Sequence, residues 1–93
     1  MSIGSYVAVL YDSTWYPGVI EEIRGEDLHI NFMSRNGHNY FRWPQKPDRQ
    51  IVKKDLVLSI MKEKPVQVSS RNLSFTMEQI LDIDELCRQE LGL

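Results

Sequence analysis

Tyr11, Trp15 and Tyr16 stand on either side of a short polar stretch, Asp12-Ser13-Thr14. The flanking runs, residues 6–11 and 15–23, are apolar and rich in β-branched side chains. Asp, Ser and Thr side chains bond back to the local backbone, so the whole segment reads as a β-hairpin. Pro17-Gly18 follows directly. Proline cannot donate to a ladder and glycine packs no side chain, which predicts an edge position or a bend in the second strand. A bent strand that begins with exposed aromatics builds a shallow pocket walled by ring faces. Such a pocket binds; it does not carry out a reaction.

Reaction chemistry has no comparable foothold. No Ser/His/Asp, Cys/His, paired-carboxylate or phosphate-loop arrangement occurs at usable spacing, so an enzyme is not expected. His29, His38 and Cys87 lack the spacing of a tetrahedral zinc site, and no metal or cofactor is expected. With a single cysteine no internal disulfide can form, which together with the missing secretion signal predicts a reducing intracellular compartment. Met1-Ser2-Ile3-Gly4 has neither the basic start nor the hydrophobic stretch of a signal peptide. The longest apolar run, residues 7–11, falls far short of the roughly 20 residues of a membrane span, so no membrane partner is expected.

A second kind of chemistry is written in the charges. Residues 1–34 sum to −4, residues 35–64 to +5 and residues 65–93 to −3, giving the overall −2. The basic middle holds Arg35, Arg42, Lys46, Arg49, Lys53 and Lys54, interleaved with Tyr40, Phe41 and Trp43. Cations mixed with aromatics resemble the surfaces that stack bases and neutralise phosphates. A sequence pI near 5.6 weighs against that reading, because phosphate affinity needs a concentrated positive field.

These residues must be positioned by a small fold. Ninety-three residues make one domain that buries about 60–65% of its unfolded surface, a modest core without room for a large cleft. Residues 6–11 read as a first strand and 15–24 as a second, with Gly25-Glu26-Asp27 as a turn. In a third strand, residues 28–33, Leu28, Ile30 and Phe32 face the core, while His29, Asn31 and Met33 face water. Asn36-Gly37 marks a second hairpin loop before an aromatic fourth strand, residues 39–43. A loop bounded by Pro44 and Pro47, a short extended piece at 50–52, a helical turn over 53–56 and a last strand at 57–61 complete the set. Residues 62–75 form an extended linker packing on this body, in which Val66 and Val68 suggest an edge strand. Thr76 and Gln79 have the spacing of a capping box. The apolar stripe Ile80, Ile83, Leu86 and Cys87 then predicts a helix over residues 76–91, packed on the rest of the chain or docked on a partner.

The ordered set of strands, turns and aromatics resembles a Tudor domain, a small five-stranded, Src-homology-3-like β-barrel, over residues 4–61. The resemblance rests on Tyr11 before the first turn, on Tyr16-Pro17-Gly18-Val19-Ile20 after it, on Phe32 ending the third strand, on the aromatic fourth strand and on Lys54-Asp55-Leu56-Val57. It implies an aromatic cage for methylated lysine or arginine, with Tyr11, Tyr16 and Phe32 as three walls and Tyr40 as the fourth. Asp12, Trp15, Asn36 and Phe41 would support it. A methylated ammonium is a bulky cation with few protons to donate, and ring faces attract it without needing an acceptor. Such cages often carry an acid or Asn just after the third aromatic. Here Met33-Ser34-Arg35 stands there, leaving Asp12, Asn36 or Asn39 as polar partner.

The expected function is therefore a non-catalytic module, a monomeric domain of a larger protein, that reads a methylated tail. The resemblance implies a histone tail and a nuclear setting. The alternatives are a nucleic-acid-binding barrel using the basic 35–54 surface, or a scaffold whose C-terminal helix docks a partner.

Overall fold

A computed structural model describes residues 1–37 and 39–92; His38, weighed above as a metal ligand, and Leu93 lie outside them. Strands β1 (Tyr6–Tyr11), β2 (Thr14–Arg24) and β3 (Asp27–Phe32) form an antiparallel meander. β4 (Ser34–Arg35) and β5 (Phe41–Arg42) are a short hairpin that leaves this sheet. β6 (Asp48–Lys53) returns to pair with β3, and a 3-10 turn at Lys54–Leu56 leads into β7 (Val57–Ile60), which pairs with β1. The main sheet thus runs β6-β3-β2-β1-β7. β8 (Val66–Gln67) and β9 (Leu73–Ser74) join the short hairpin in a second sheet ordered β4-β5-β9-β8, and helix α1 (Met77–Leu91) closes the chain.

The result is mainly β, as expected, but the strands make two antiparallel sheets rather than one closed barrel. The aromatic segment expected as a main-sheet strand is the reason. Phe41 is fully buried and pairs with Arg35 on one side and Leu73 on the other, so burial draws Phe41–Arg42, of the expected 39–43, into the second sheet. The place beside β3 goes instead to Asp48–Lys53, a longer strand than the 50–52 expected. Residues 62–75 likewise do more than link, because they supply β8 and β9.

Alternation along β1 explains why two cores exist. Val7 and Val9 point to one face with Ile20, Leu28, Ile30 and Phe32; Ala8 points to the other, with Trp15, Met33, Phe41, Met61, Phe75 and the buried stripe of α1. Both faces of β1 are covered, as its unbroken apolar run predicts. Met33 departs from expectation. Expected on the wet face of the third strand, it lies just past β3 and is 1% exposed, packed with residues of the second sheet and α1.

Pro17-Gly18 lies in the middle of β2, paired on both sides, and not at an edge. Proline's missing donor is tolerated there, and its carbonyl accepts from Met33 N at 2.9 Å. The break in register comes later, at Glu21, where the β2–β3 pairing shifts by one residue.

α1 begins as its sequence requires: Thr76 Oγ1 accepts from Gln79 N, and Gly92 ends the helix in the left-handed region at φ 74°. The capping box is only half made. Gln79 turns its amide away, accepting from the backbone N–H groups of Lys62 and Glu63 at 2.8 and 3.1 Å, and so ties the helix to the chain leaving β7. Among the described residues no helix is long and apolar enough to cross a membrane.

Candidate functional site

Three of the four expected cage aromatics share one concavity. The turn between β1 and β2 is Asp12-Ser13, with Tyr11 facing Thr14 across it, and Asp12 adopts φ 54°. Aspartate tolerates that left-handed conformation better than most residues, so its type serves the turn. Tight pairing then places Tyr16 diagonally across from Tyr11 on the same face, and their rings meet edge to face at 6.1 Å. Two residues on, Gly18 lies opposite Phe32. A Cβ at Gly18 would come within 2.4 Å of Ile30 Cγ2 and 3.2 Å of the Phe32 ring, so the absent side chain is what lets Phe32 lie over the strand.

Tyr11, Tyr16 and Phe32 line a cavity of about 580 Å³, with Val9 beneath and Asp48, Val52, Lys53 and Leu56 along the far side. The rings are graded by depth. Tyr11 is 57% exposed at the rim, Tyr16 is half-buried in the wall, and Phe32 is 7% exposed as part of the floor. Phe32 therefore does two jobs, filling one core and offering an edge to the cavity.

Tyr40, expected as the fourth wall, does not line this cavity. That residue is 47% exposed but belongs to the turn before β5, in the second sheet, and is not among the cavity's lining residues. Asp48 comes from the direction the sequence reading missed. It pairs with Phe32 across the β3–β6 register and brings a carboxylate to the cavity, where its Oδ1 accepts from Gln50 Nε2 at 3.0 Å. An acid after the third aromatic is absent along the chain, but one stands beside that aromatic in space. The signal was a register, which sequence spacing does not display. Asp12 and Asn36 are exposed and lie outside the cavity lining; Asn36 instead donates to Asn72 Oδ1 at 2.6 Å, linking β4 to the segment before β9.

Trp15 and Phe41, expected as supports, are buried at 1% and 0% exposure. Their rings pack at 5.4 Å, and Phe41 meets Phe75 at 5.7 Å. Full burial of a large aromatic stabilises by about 2–3 kcal/mol, far more than either ring would contribute at a surface. The guanidinium of Arg35 lies over this group, 4.6 Å from the Trp15 ring, 5.1 Å from Phe41 and 5.7 Å from Tyr16. Its Nη2 and Nε donate to the Trp15 carbonyl at 2.6 and 3.1 Å. Burial pushes the Arg35 guanidinium down from its ordinary value, opposed by the carboxylate of Asp84 and by Tyr16 and Cys87; it stays charged, as arginine does.

This takes Arg35 out of any outward basic surface. Arg49 Nε is bound to Glu21 at 2.8 Å, and Lys53 to Asp27, which holds the Lys53 ammonium above its ordinary value. Of the six basic residues expected to act together, three are thus engaged within the fold, leaving Arg42, Lys46 and Lys54. Among the described residues no three His, Cys, Asp or Glu side chains converge as a metal site requires.

No family model, curated protein or solved structure matches the chain.

Proposed function

We propose that this chain is a non-catalytic recognition module whose Tyr11–Tyr16–Phe32 cavity takes the methylated ammonium or guanidinium of a protein tail. One observation carries the reading: three aromatic side chains and one carboxylate line a single open cavity at the end of the main sheet. Ring faces attract a bulky cation whose methyl groups have replaced its protons, and Asp48 adds a charge at the edge and an acceptor for any N–H that remains. The meander order and the 3-10 turn between β6 and β7 support a Tudor-like architecture for this part. The histone character of the tail and a nuclear setting rest on that likeness alone.

Each desolvated ring contributes up to about 2 kcal/mol, partly offset by ordering the tail, so the expected Kd is about 0.1–1 mM. Titration with mono-, di- and trimethylated lysine peptides, methylated arginine peptides and their unmodified counterparts, followed by amide and ring chemical shifts, tests the reading. Shifts centred on Tyr11, Tyr16, Phe32 and Asp48 that require methylation support it. Equal response to the unmodified peptide, or shifts confined elsewhere, would end it.

A further inference from the structure

A second cavity among the described residues is larger than the aromatic one. It lies between the loop after β5 and the β8–β9 hairpin, holds about 780 Å³ and is lined by Arg42, Trp43, Gln45, Gln67, Arg71 and Asn72, among others. The second sheet explains the convergence. Phe41 pairs with Leu73 and both turn inward, so the next residues, Arg42 on one strand and Asn72 on the other, turn outward. Trp43 and Arg71 follow them at the same end, and Trp43 remains 41% exposed.

Three features give this cavity a chemical preference. Among the described residues no acid lines it, and neither Arg42 nor Arg71 forms an ion pair. The partly exposed indole of Trp43 shares this lining with the two arginines. Beside the hydroxyls of Ser34 and Ser70, the lining holds three amides, Gln45, Gln67 and Asn72, of which Asn72 Oδ1 accepts from Asn36 and Gln67 Nε2 donates to the Ser70 carbonyl; an amide both donates and accepts. Carboxylates or phosphates on a peptide would need only donors; the edges of nucleobases present donors and acceptors together.

We propose that this cavity binds single-stranded nucleic acid, with a base stacked on Trp43, flanking phosphates on Arg42 and Arg71, and base edges read by the amides. The site adjoins the aromatic cavity, sharing Ser34 with its lining, and uses Arg71, which lies outside the basic middle of the sequence. The net negative charge of the chain is not placed at this cavity, which no acid among the described residues lines, and Glu21, Asp27 and Glu85 are paired elsewhere with Arg49, Lys53 and Arg88.

Fluorescence anisotropy of labelled oligo-dT and oligo-U of about ten nucleotides tests this with the whole chain. Measurable binding is expected at about 50 mM salt, weakening steeply by about 200 mM. Trp43→Ala should weaken it at least about tenfold, with Trp43→Phe keeping most of the affinity because a stacking face remains. Arg42→Gln with Arg71→Gln should lower the slope of log affinity against log salt by about 1.4, the share of two phosphates on a single strand. Arg24→Gln, the loss of one positive charge at the end of β2, should leave binding intact. Circular dichroism on each variant separates loss of the site from loss of the fold. Absence of binding at low salt, an equal effect of Arg24→Gln, or displacement of the oligonucleotide by an equimolar acidic peptide would overturn the proposal.

Discussion

The indole N–H of Trp15 donates to Oδ1 of Asp84 at 2.8 Å, joining the start of β2 to the middle of α1 across 69 residues of chain. Asp84 also acts electrostatically on Arg35, whose guanidinium covers the same indole ring at 4.6 Å. Carboxylate, indole and guanidinium therefore form one unit that seats the C-terminal helix on the back of the main sheet. The front of that sheet carries the aromatic cavity, and Tyr16, next to Trp15, touches both sides of the arrangement through Tyr11 and Arg35.

Asp84→Ala removes the acceptor for a buried N–H and the charge facing a half-buried arginine. An unsatisfied donor of this kind costs about 1–3 kcal/mol, and the loss of the neighbouring charge adds to it. Urea denaturation should show a fall of at least that size. Asp84→Asn, which keeps an acceptor for Trp15, should lose less. Equal stability of the alanine variant and the parent would show that the helix is seated by its apolar stripe alone.

Cys87 reports on the same seating. Burial pushes its thiol above the ordinary value and Asp84 pushes in the same direction, while Arg35 opposes them. The group is 6% exposed and packed in the helix-covered core. Thiolate is the reactive form, so at pH 7 to about 8 the native protein should react with a disulfide reagent far more slowly than a free cysteine. Raising the pH should restore reactivity only above the ordinary thiol range. Denaturant should restore it at once, and rapid labelling under native conditions would contradict the packing.

Gly18→Ala tests the floor of the cavity. The new methyl would approach Ile30 Cγ2 at 2.4 Å, the Asn31 carbonyl at 2.9 Å and the Phe32 ring at 3.2 Å. Overpacking of this kind costs about 1–3 kcal/mol, and the strand separation or the Phe32 ring must shift to relieve it. Both a lower denaturation midpoint and displaced Phe32 ring resonances are expected.

Tyr11→Ala should separate binding from stability. The ring is exposed at the rim, so stability should change by no more than about 0.5 kcal/mol, while affinity for a trimethylated lysine peptide should fall about 2- to 30-fold. Tyr16→Ala should damage both, since its ring also packs against Tyr11 and the first core. Isothermal calorimetry beside urea denaturation reads the two quantities.

Asp48→Asn should discriminate between methylation states. A dimethylated ammonium keeps one N–H that the carboxylate can accept, whereas a trimethylated one keeps only its charge. The variant should therefore lose more affinity for the dimethylated peptide than for the trimethylated one. Equal losses for both would assign Asp48 a purely electrostatic role.

Much of this arrangement is legible in the chain because its causes are local. The Asp-Ser turn between apolar runs, the alternation of Leu28, Ile30 and Phe32, and the Thr76 cap all act within a few residues, and each stands where the spacing predicts it. The pairing of Tyr11 with Tyr16 belongs to this class, since a tight hairpin leaves their register no freedom. The misplacements have a common origin. Tyr40 and Phe41 have the composition of a main-sheet strand, and nothing in their immediate neighbourhood reveals that Leu73, far along the chain, competes for them.

The order of residues alone determined the hairpin, the three strands of the meander, the capped helix and the meeting of Tyr11 and Tyr16 on one face of the hairpin. Each of these is decided by backbone preferences and side-chain periodicity over short spans. Only the tertiary structure decided that Asp48 faces Phe32, that Trp15 and Arg35 turn inward beneath α1, and that Arg42 and Arg71 share a cleft with Trp43. Those outcomes depend on which distant surfaces bury each other best, and that competition is settled by the whole core at once.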